Sequence, residues 1–406
     1  MTWRERIILA LLAAINFTHI LDFMVMAPLG NFLMPYFNLN AQQFSVLLAS
    51  YSIAACVSGF IAAFFVDRFD RKGVLLFGYT GFILATIGCG IAPNFPFLLT
   101  SRILAGLFGG LIGAQVMSIV ADTFSYERRG AAMGILFSAF SLASVIGVPI
   151  GLYLATVISW HAPFLAIGGM GILIIFLVMK YLRPMKGHLK NRDLSLHWFA
   201  VINNIFIRKE QLTALALSAC LMLGHFIIIP FLNPYMEYNV GFTDMQRNLV
   251  YIVGGIGTML FSPLIGRIAD KYGKHRVFTV SALLSLIPIV LITNMPAIAY
   301  YYVLAVTGIW FVFSTGRGIP ANAIISNVVP PQQRGSFMSV NSSVQQLFIG
   351  LASLIAGWVV KAPPGQKLSN YNVTGYISIA IVLLCVFIAQ KLHVRSEAWA
   401  AEELAP

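Results

Sequence analysis

The sequence predicts an all-α polytopic membrane protein: twelve transmembrane helices in two six-helix, pseudo-symmetric bundles around a central cavity. Three observations predict it. Of 406 residues, 59% are hydrophobic and only 10% charged, where a soluble protein carries about a quarter charged residues. The apolar residues fall into twelve runs near the length of about 20 residues that a bilayer requires. Landmarks in the first half of the chain return in the second at a spacing close to 203 residues.

The runs are bounded by charged or Pro/Asn-rich breaks. The expected spans are 7–29, 44–66, 73–92, 97–122, 131–158, 163–182, 210–230, 248–266, 277–295, 298–326, 336–360 and 372–392. An even number returns both termini to one side. On that side the loops and chain ends hold 21 Lys and Arg residues, against three (Arg247, Lys361, Lys367) on the other. Basic residues collect in cytoplasmic loops, so both termini are expected in the cytoplasm, in an inner (plasma) membrane of bacterial type. The net charge of +12 is therefore topology rather than a nucleic-acid footprint. The basic start followed by a long apolar run reads as a first span, without a small-residue cleavage site. Cys56, Cys89, Cys220 and Cys385 lie inside apolar runs without ligand spacing, as packing residues do.

The repeat divides the chain. Asp67 opens DRFDRK after span two, and Asp270 opens DKYGKHR after span eight, an offset of 203. Arg129-Gly130 after span four matches Arg334-Gly335 after span ten at 205, and Pro28 matches Pro230 at 202. Two parallel copies suit a carrier with its site between them, near the bilayer midplane. The expected division is a bundle of residues 1–182, a cytoplasmic linker 183–209, a bundle of residues 210–392 and a tail 393–406. The linker tract LHWFAV is either a short amphipathic segment at the headgroups or plain connecting chain.

These motifs carry a family resemblance. GRIADKYGKHR (Gly266–Arg276) resembles the loop motif of the major facilitator superfamily, with Gly266, Asp270, Lys271, Gly273 and Lys274 at its key positions. The first copy departs from it: Ala63 and Asp70 stand where glycines are usual. LLTSRILAGLFGG, from residue 98 to 110, resembles the span-four motif of the drug:proton antiporter branch, and VIGVPIG its span-five motif in shortened form. ERRGAAMG and WHAPF fit the arabinose-efflux-permease-like subgroup. The resemblance covers the whole chain and implies the major facilitator fold. It implies a cytoplasmic gating latch, in which Asp67 pairs through Arg71 to Asp122, accompanied by Arg68, Arg129 and Arg334, holding the outward-open state. The second half keeps Asp270 and Lys274 but has Asn327 in place of the third member. Gly147, Pro149 and Gly151 would form the antiporter seal against proton leak; close helix packing accounts for them equally well.

Intramembrane charge is the sharper clue, because an ionisable residue in a span needs a function or a partner. Asp22 alone among fourteen acids lies well inside a span. It sits about 10 Å from the outer end of span one, and Arg102 about 7 Å from the outer end of span four, at 1.5 Å per residue. Opposite charges at nearly one depth suit proton coupling or substrate binding; a static pair that fixes packing is the alternative. His19, one turn before Asp22, and His225, 203 residues after it, either join that site or pack. Arg317, deep in span ten, binds an anionic group, pairs across a gate or snorkels. Tyr51, Gln115, Asn341, Gln345 and Gln346 line the cavity or join helices by hydrogen bonds. Glu237, just past Pro234, reads as an exposed loop acid.

The expected function is proton-coupled export of a small organic or amphipathic molecule by rocker-switch alternating access, a monomer in the bilayer serving as antiporter. Within the class, a proton-independent facilitator or importer and a carrier of sugars or lysolipids are the rivals. A mostly apolar, aromatic cavity favours an amphipathic or weakly cationic cargo. An intramembrane enzyme lacks a nucleophile or metal constellation, an ATP-driven pump lacks a phosphate loop, and a pore suits two inexact repeats poorly. No cofactor and no metal are implied.

Overall fold

The computed structural model describes residues 2–65, 69–124, 126–185, 208–296, 299–329, 334–361 and 366–392. Asp67 and Arg68, the LHWFAV tract with most of the linker, and the tail 393–406 lie outside the described residues. Arg129 and Arg334 fall within helices, but their side chains lie outside the description.

Twelve helices among the described residues are long and apolar enough to cross a membrane. The first six are Trp3–Met26, Ala41–Phe65, Arg71–Gly90, Phe95–Thr123, Tyr126–Leu142 continuing into Val148–Val157, and Ala162–Tyr181. The second six are Lys209–Phe226, Asp244–Tyr272, Lys274–Thr293, Tyr300–Ser326, Arg334–Val359 and Tyr371–Lys391. In lipid every backbone group must be satisfied within its own element, which leaves the helix as the element these apolar runs adopt.

Several boundaries move from their expected places, each for a local reason. Span one begins at Trp3 because Thr2 and Glu5 form a reciprocal capping box, so Arg4 and Arg6 are helical. It stops at Met26, before Pro28, and a short helix Gly30–Tyr36 follows. Span seven copies this design: it stops at Phe226, and Ile229–Tyr235 restarts with Pro230 in its first turn. Span eight runs Asp244–Tyr272 instead of 248–266. A capping box of Thr243 and Gln246 starts it, and Gly273, at φ +93°, ends it. Arg267 and Lys271 are therefore in the last turns of a helix, where cations suit the dipole.

Three large apolar clusters hold the helices. One joins both halves on the face opposite the chain ends, packing Val25, Leu29 and Phe44 with Ile227, Phe231 and Tyr371. The other two each stay within one half on the face of the chain ends. Ile8, Phe124 and Leu182 belong to the first, and Leu217, Phe278 and Leu392 to the second. The halves also meet along spans two and eleven, where Gly357 lies against Ser45 and Gly350 against Ile53. Spans five and eight meet where Gly255 faces Val145. Among the described residues, apolar clusters are thus continuous across the halves on one face and stay within each half on the other: these contacts close the face opposite the chain ends.

A polar clasp reinforces that closed face. Asn31 donates to the carbonyl of Asn233 at 3.3 Å, and Asn233 donates to the carbonyl of Pro28 at 2.6 Å. These asparagines are 202 residues apart, the offset of Pro28 and Pro230, so each repeat grips the backbone of the other. Glu237 is no exposed loop acid. It lies in a helical turn, accepts from Asn31 of the other half and pairs with Arg247, which also holds Asp244. Burial of the Arg247 side chain requires these partners.

Replacing Asn233 with Ala removes the cross-half bond to the Pro28 carbonyl, worth about 1 kcal/mol net, roughly a fivefold shift in a two-state balance. Thiol labelling of Leu29→Cys, in a background with the four native cysteines replaced by Ser, should speed up by about that factor. An unchanged labelling rate would mean that the clasp does not hold the face shut.

Candidate functional site

The first half builds a buried polar centre from spans one to four. Asp22 is 0% exposed and Arg102 1% exposed. Arg102 Nη1 lies 2.7 Å from Asp22 Oδ2, and Thr86 Oγ1 donates to Asp22 Oδ1 at 3.2 Å. The Arg102 guanidinium also lies over the Tyr51 ring, 4.4 Å from its centroid, a cation–π contact strengthened by burial. The Tyr51 hydroxyl shares a hydrogen bond with His19 Nε2 at 2.9 Å. Arg102 Nε has no partner among the described residues. The centre therefore runs from the half-buried His19 through Tyr51 to a fully buried ion pair.

Glycines make this geometry possible. Arg102, Gly106, Gly109 and Gly110 follow at helical spacing on one face of span four. A Cβ at Gly106 would fall 2.2 Å from the carbonyl oxygen of Tyr51, and one at Gly110 2.4 Å from that of Ala55. A Cβ at Gly109 would come within 2.8 Å of His19 Nε2. Span two can reach span four only because these side chains are absent, and that approach lays Tyr51 under Arg102. The span-five glycines act on the other side of Asp22. A Cβ at Gly147 would meet Leu21 at 2.7 Å, and one at Gly151 would meet Val25 at 2.8 Å. Gly147 closes a π turn, Ala143–Gly147, and Pro149 follows in the first turn of the next helical segment. Such a turn widens the helix locally.

Near the chain ends, Arg71 Nε lies 3.0 Å from Asp122 Oδ2, and Arg71 is buried. Asp70, the residue that departs from the loop motif, has its own task. It caps span three by accepting from the amide of Gly73 at 3.2 Å, and it accepts from the amide of Met185 at 2.5 Å. A residue of N-cap type directly before an apolar run was the available signal. In the second half, Asp270, Lys271 and Lys274 form no ion pair among the described residues, while Gly273 turns the chain and Gly266 sits in open space. The arrangement is asymmetric.

Comparison with known proteins places the molecule. The family model described as Major Facilitator Superfamily matches residues 11–222 and 214–404. The chain belongs to the Major Facilitator Superfamily. Among curated relatives, the uncharacterized MFS-type transporter YceJ of Bacillus subtilis (strain 168) is 23% identical over 369 residues, covering 89% of this chain and 90% of the relative. Multidrug resistance protein 3 of the same organism is 24% identical over 396 residues, covering 82% and 74%. A solved structure of a bacterial homolog to the human lysosomal transporter Spinster matches with a TM-score of 0.74 at 16% identity, covering 97% of this chain and 98% of the other. The protein is thus a multi-pass membrane transporter of the Major Facilitator Superfamily, with two six-helix bundles, and not an enzyme.

The second bundle of this superfamily member brings a different set together. His225 stacks on Trp310, with ring centroids 5.1 Å apart and planes at 22°. Arg317, 2% exposed, donates from Nη1 to Ser285 Oγ at 3.3 Å. Gln345 donates to Ser218 at 3.0 Å and so acts as a helix-to-helix contact. Both amide atoms of the buried Gln115, Oδ1 of Asn341 and Oε1 of Gln346 have no partner among the described residues. Thr86, Ser285 and Trp310 were not singled out in the sequence. A hydroxyl inside a membrane helix usually bonds its own backbone, so nothing in the one-dimensional pattern marks these two.

Leucine in place of Arg102 leaves Asp22 buried without its counter-charge, a loss of roughly 3–5 kcal/mol. Combining it with Asp22→Leu should restore most of that stability, as measured by denaturant unfolding in detergent. Additive losses in the double variant would contradict a direct pairwise dependence.

Proposed function

We propose that this transporter couples protons to the export of small amphipathic molecules, with Asp22 as the proton carrier. It is proposed to act as a monomer in a bacterial inner membrane, with both termini in the cytoplasm. The observation that carries the reading is the fully buried Asp22–Arg102 pair, reached through Tyr51 from the half-buried His19. A carboxylate held by a guanidinium in a low-dielectric site has two stable arrangements. Charged, it keeps Arg102; protonated, it releases Arg102, which retains the Tyr51 ring as a second resting place. His19 and Tyr51 supply hydrogen-bonding groups along which a proton reaches the pair from the cavity. Span one carries Asp22 and also contributes Val25 and Leu29 to the apolar closure of the face opposite the chain ends. A change at Asp22 therefore acts on the helix that helps seal that face.

The halves 1–182 and 210–392 would rock about this site, joined by the linker 183–209. Arg71 and Asp122, already paired within the first half, would act with Asp67 and Arg68 to latch the face of the chain ends in the opposite, outward-open state, with Asp270 and Lys274 as a weaker counterpart. Gly147, Pro149 and Gly151 keep span five close against span one beside Asp22, which excludes water from the pair. The names of relatives support export: one is a multidrug resistance protein and another a multi-drug resistance efflux pump PmrA homolog.

Liposomes holding the protein and a pH-sensitive dye test this reading under an imposed proton gradient. A transported compound should drive proton flux in the wild type and none in Asp22→Asn, while His19→Ala should slow it by roughly 100-fold, the weight of one positioned proton-transfer group. Compounds crossing without proton movement, equally well in Asp22→Asn, would make the protein a facilitator.

A further inference from the structure

Each half carries a buried arginine on the fourth span of its repeat, at different depths: Arg317 follows Arg102 by 215 residues, where the repeat distance is near 203. In the first half, Asp22 on span one, Thr86 on span three and Arg102 on span four meet as anion, hydroxyl and cation. In the second half, His225 on span seven, Ser285 on span nine and Arg317 on span ten occupy the same three helices of the repeat. His225 follows Asp22 by 203 residues, the repeat distance. The cation and the hydroxyl are present; the anion is not. Arg317 Nη2 has no hydrogen-bond partner and no carboxylate pairs with Arg317 among the described residues. Two more buried donor or acceptor atoms on these spans have no partner among the described residues, Nδ1 of His225 and Nε1 of the Trp310 against which it stacks.

A guanidinium buried without a counter-charge is among the costlier arrangements a membrane protein can hold. Its planar fork fits a carboxylate through two parallel N–H bonds. Trp310 lies two helical turns before Arg317 on the same face of span ten, and aromatic rings continue from it. Trp310 packs on Phe311, His225 on Phe226, and Phe226 reaches Phe23 of the first half with centroids 5.9 Å apart. We propose that Arg317, with Ser285, binds the carboxylate of the transported molecule, that Trp310 and His225 flank its body, and that the cargo is an amphipathic organic acid with an aromatic or bulky apolar body. This rests on the export reading above and names its substrate class. One guanidinium and one hydroxyl suit a single negative charge better than a dianionic phosphate. Phe226 and Phe23 place the apolar body of such a cargo between the halves, beside Tyr51 of the proton site, to which Phe23 also packs.

The test uses three probes with one ring system: 1-naphthoate, 1-naphthalenemethanol and 1-naphthylmethylamine, added to the purified full-length protein in detergent. Tryptophan fluorescence and thermal stabilisation report binding. The wild type should bind naphthoate roughly 10- to 100-fold more tightly than the alcohol or the amine, the weight of a charge-assisted hydrogen bond. Arg317→Gln should lose that preference and Arg317→Lys should keep part of it. The head-group comparison in the wild type needs no variant, so it decides even if Arg317→Gln fails to fold. Equal binding of the three probes, or unchanged naphthoate affinity in a folded Arg317→Gln, overturns the proposal. Competition by acetate or chloride as strong as by naphthoate makes this a bare-anion site, which also overturns the cargo assignment. Asp22→Asn separates the two readings. It should retain naphthoate binding while losing proton flux, so failure of proton coupling leaves this result standing and failure of naphthoate binding leaves proton coupling standing.

Discussion

A carboxylate and a guanidinium 2.7 Å apart, both removed from water, impose conditions on everything around them. Each charge alone would be too costly to bury, and the pair persists because further groups complete it: Thr86 on the free oxygen of Asp22, and the Tyr51 ring under Arg102. Those partners arrive only if helices approach to backbone contact. The glycines at 106, 109 and 110 on span four, and at 147 and 151 on span five, provide that approach. Span one is thus pressed between two glycine-bearing helices, and its Asp22 is placed by packing as much as by charge. The polar site and the small-residue faces form one device.

The closed face has a comparable logic. Apolar side chains seal it, but apolar contact does not specify register between two similar halves. Asn31 and Asn233 supply the register, because each finds its acceptor on the backbone of the opposite repeat. Glu237 and Arg247 anchor the clasp from the second half. On the face of the chain ends, the apolar clusters stop within each half, and the Arg71–Asp122 pair likewise stays within the first half. Among the described residues, one face is sealed by apolar clusters that cross the pseudo-symmetry axis, and on the other no such cluster crosses it. Alternating access requires an asymmetry of this kind.

Much of this was legible in the sequence. Charge is so rare in the apolar runs that Asp22 and Arg102 could be singled out, and their depths could be matched by counting residues. The fold followed from span count and repeat, and from motifs that resemble the Major Facilitator Superfamily, to which the family model assigns the chain. What stayed hidden depends on three dimensions. Hydropathy reports where an apolar run weakens, whereas caps and a left-handed glycine set where a helix stops, so span eight proved longer than expected. A glycine in a membrane helix carries no label for its partner, so the Tyr51 contact of Gly106 could not be foreseen. Glu237 looked like a loop acid because Pro234 precedes it, yet Pro234 sits inside a helix and the chain continues to coil past it. The asparagine clasp did carry a signal, the 202-residue offset it shares with Pro28 and Pro230.

On the proposed function, Asp22 exchanges Arg102 for a proton during transport. Difference infrared spectroscopy on the reconstituted protein, recorded as pH is lowered with Asp22→Asn as reference, observes that event directly. A protonated-carboxyl band should grow in the wild type, weaken when transported cargo is added and be absent from Asp22→Asn. A wild-type spectrum identical to that of Asp22→Asn, under conditions where the protein transports, would contradict it and leave Asp22–Arg102 as a fixed structural pair.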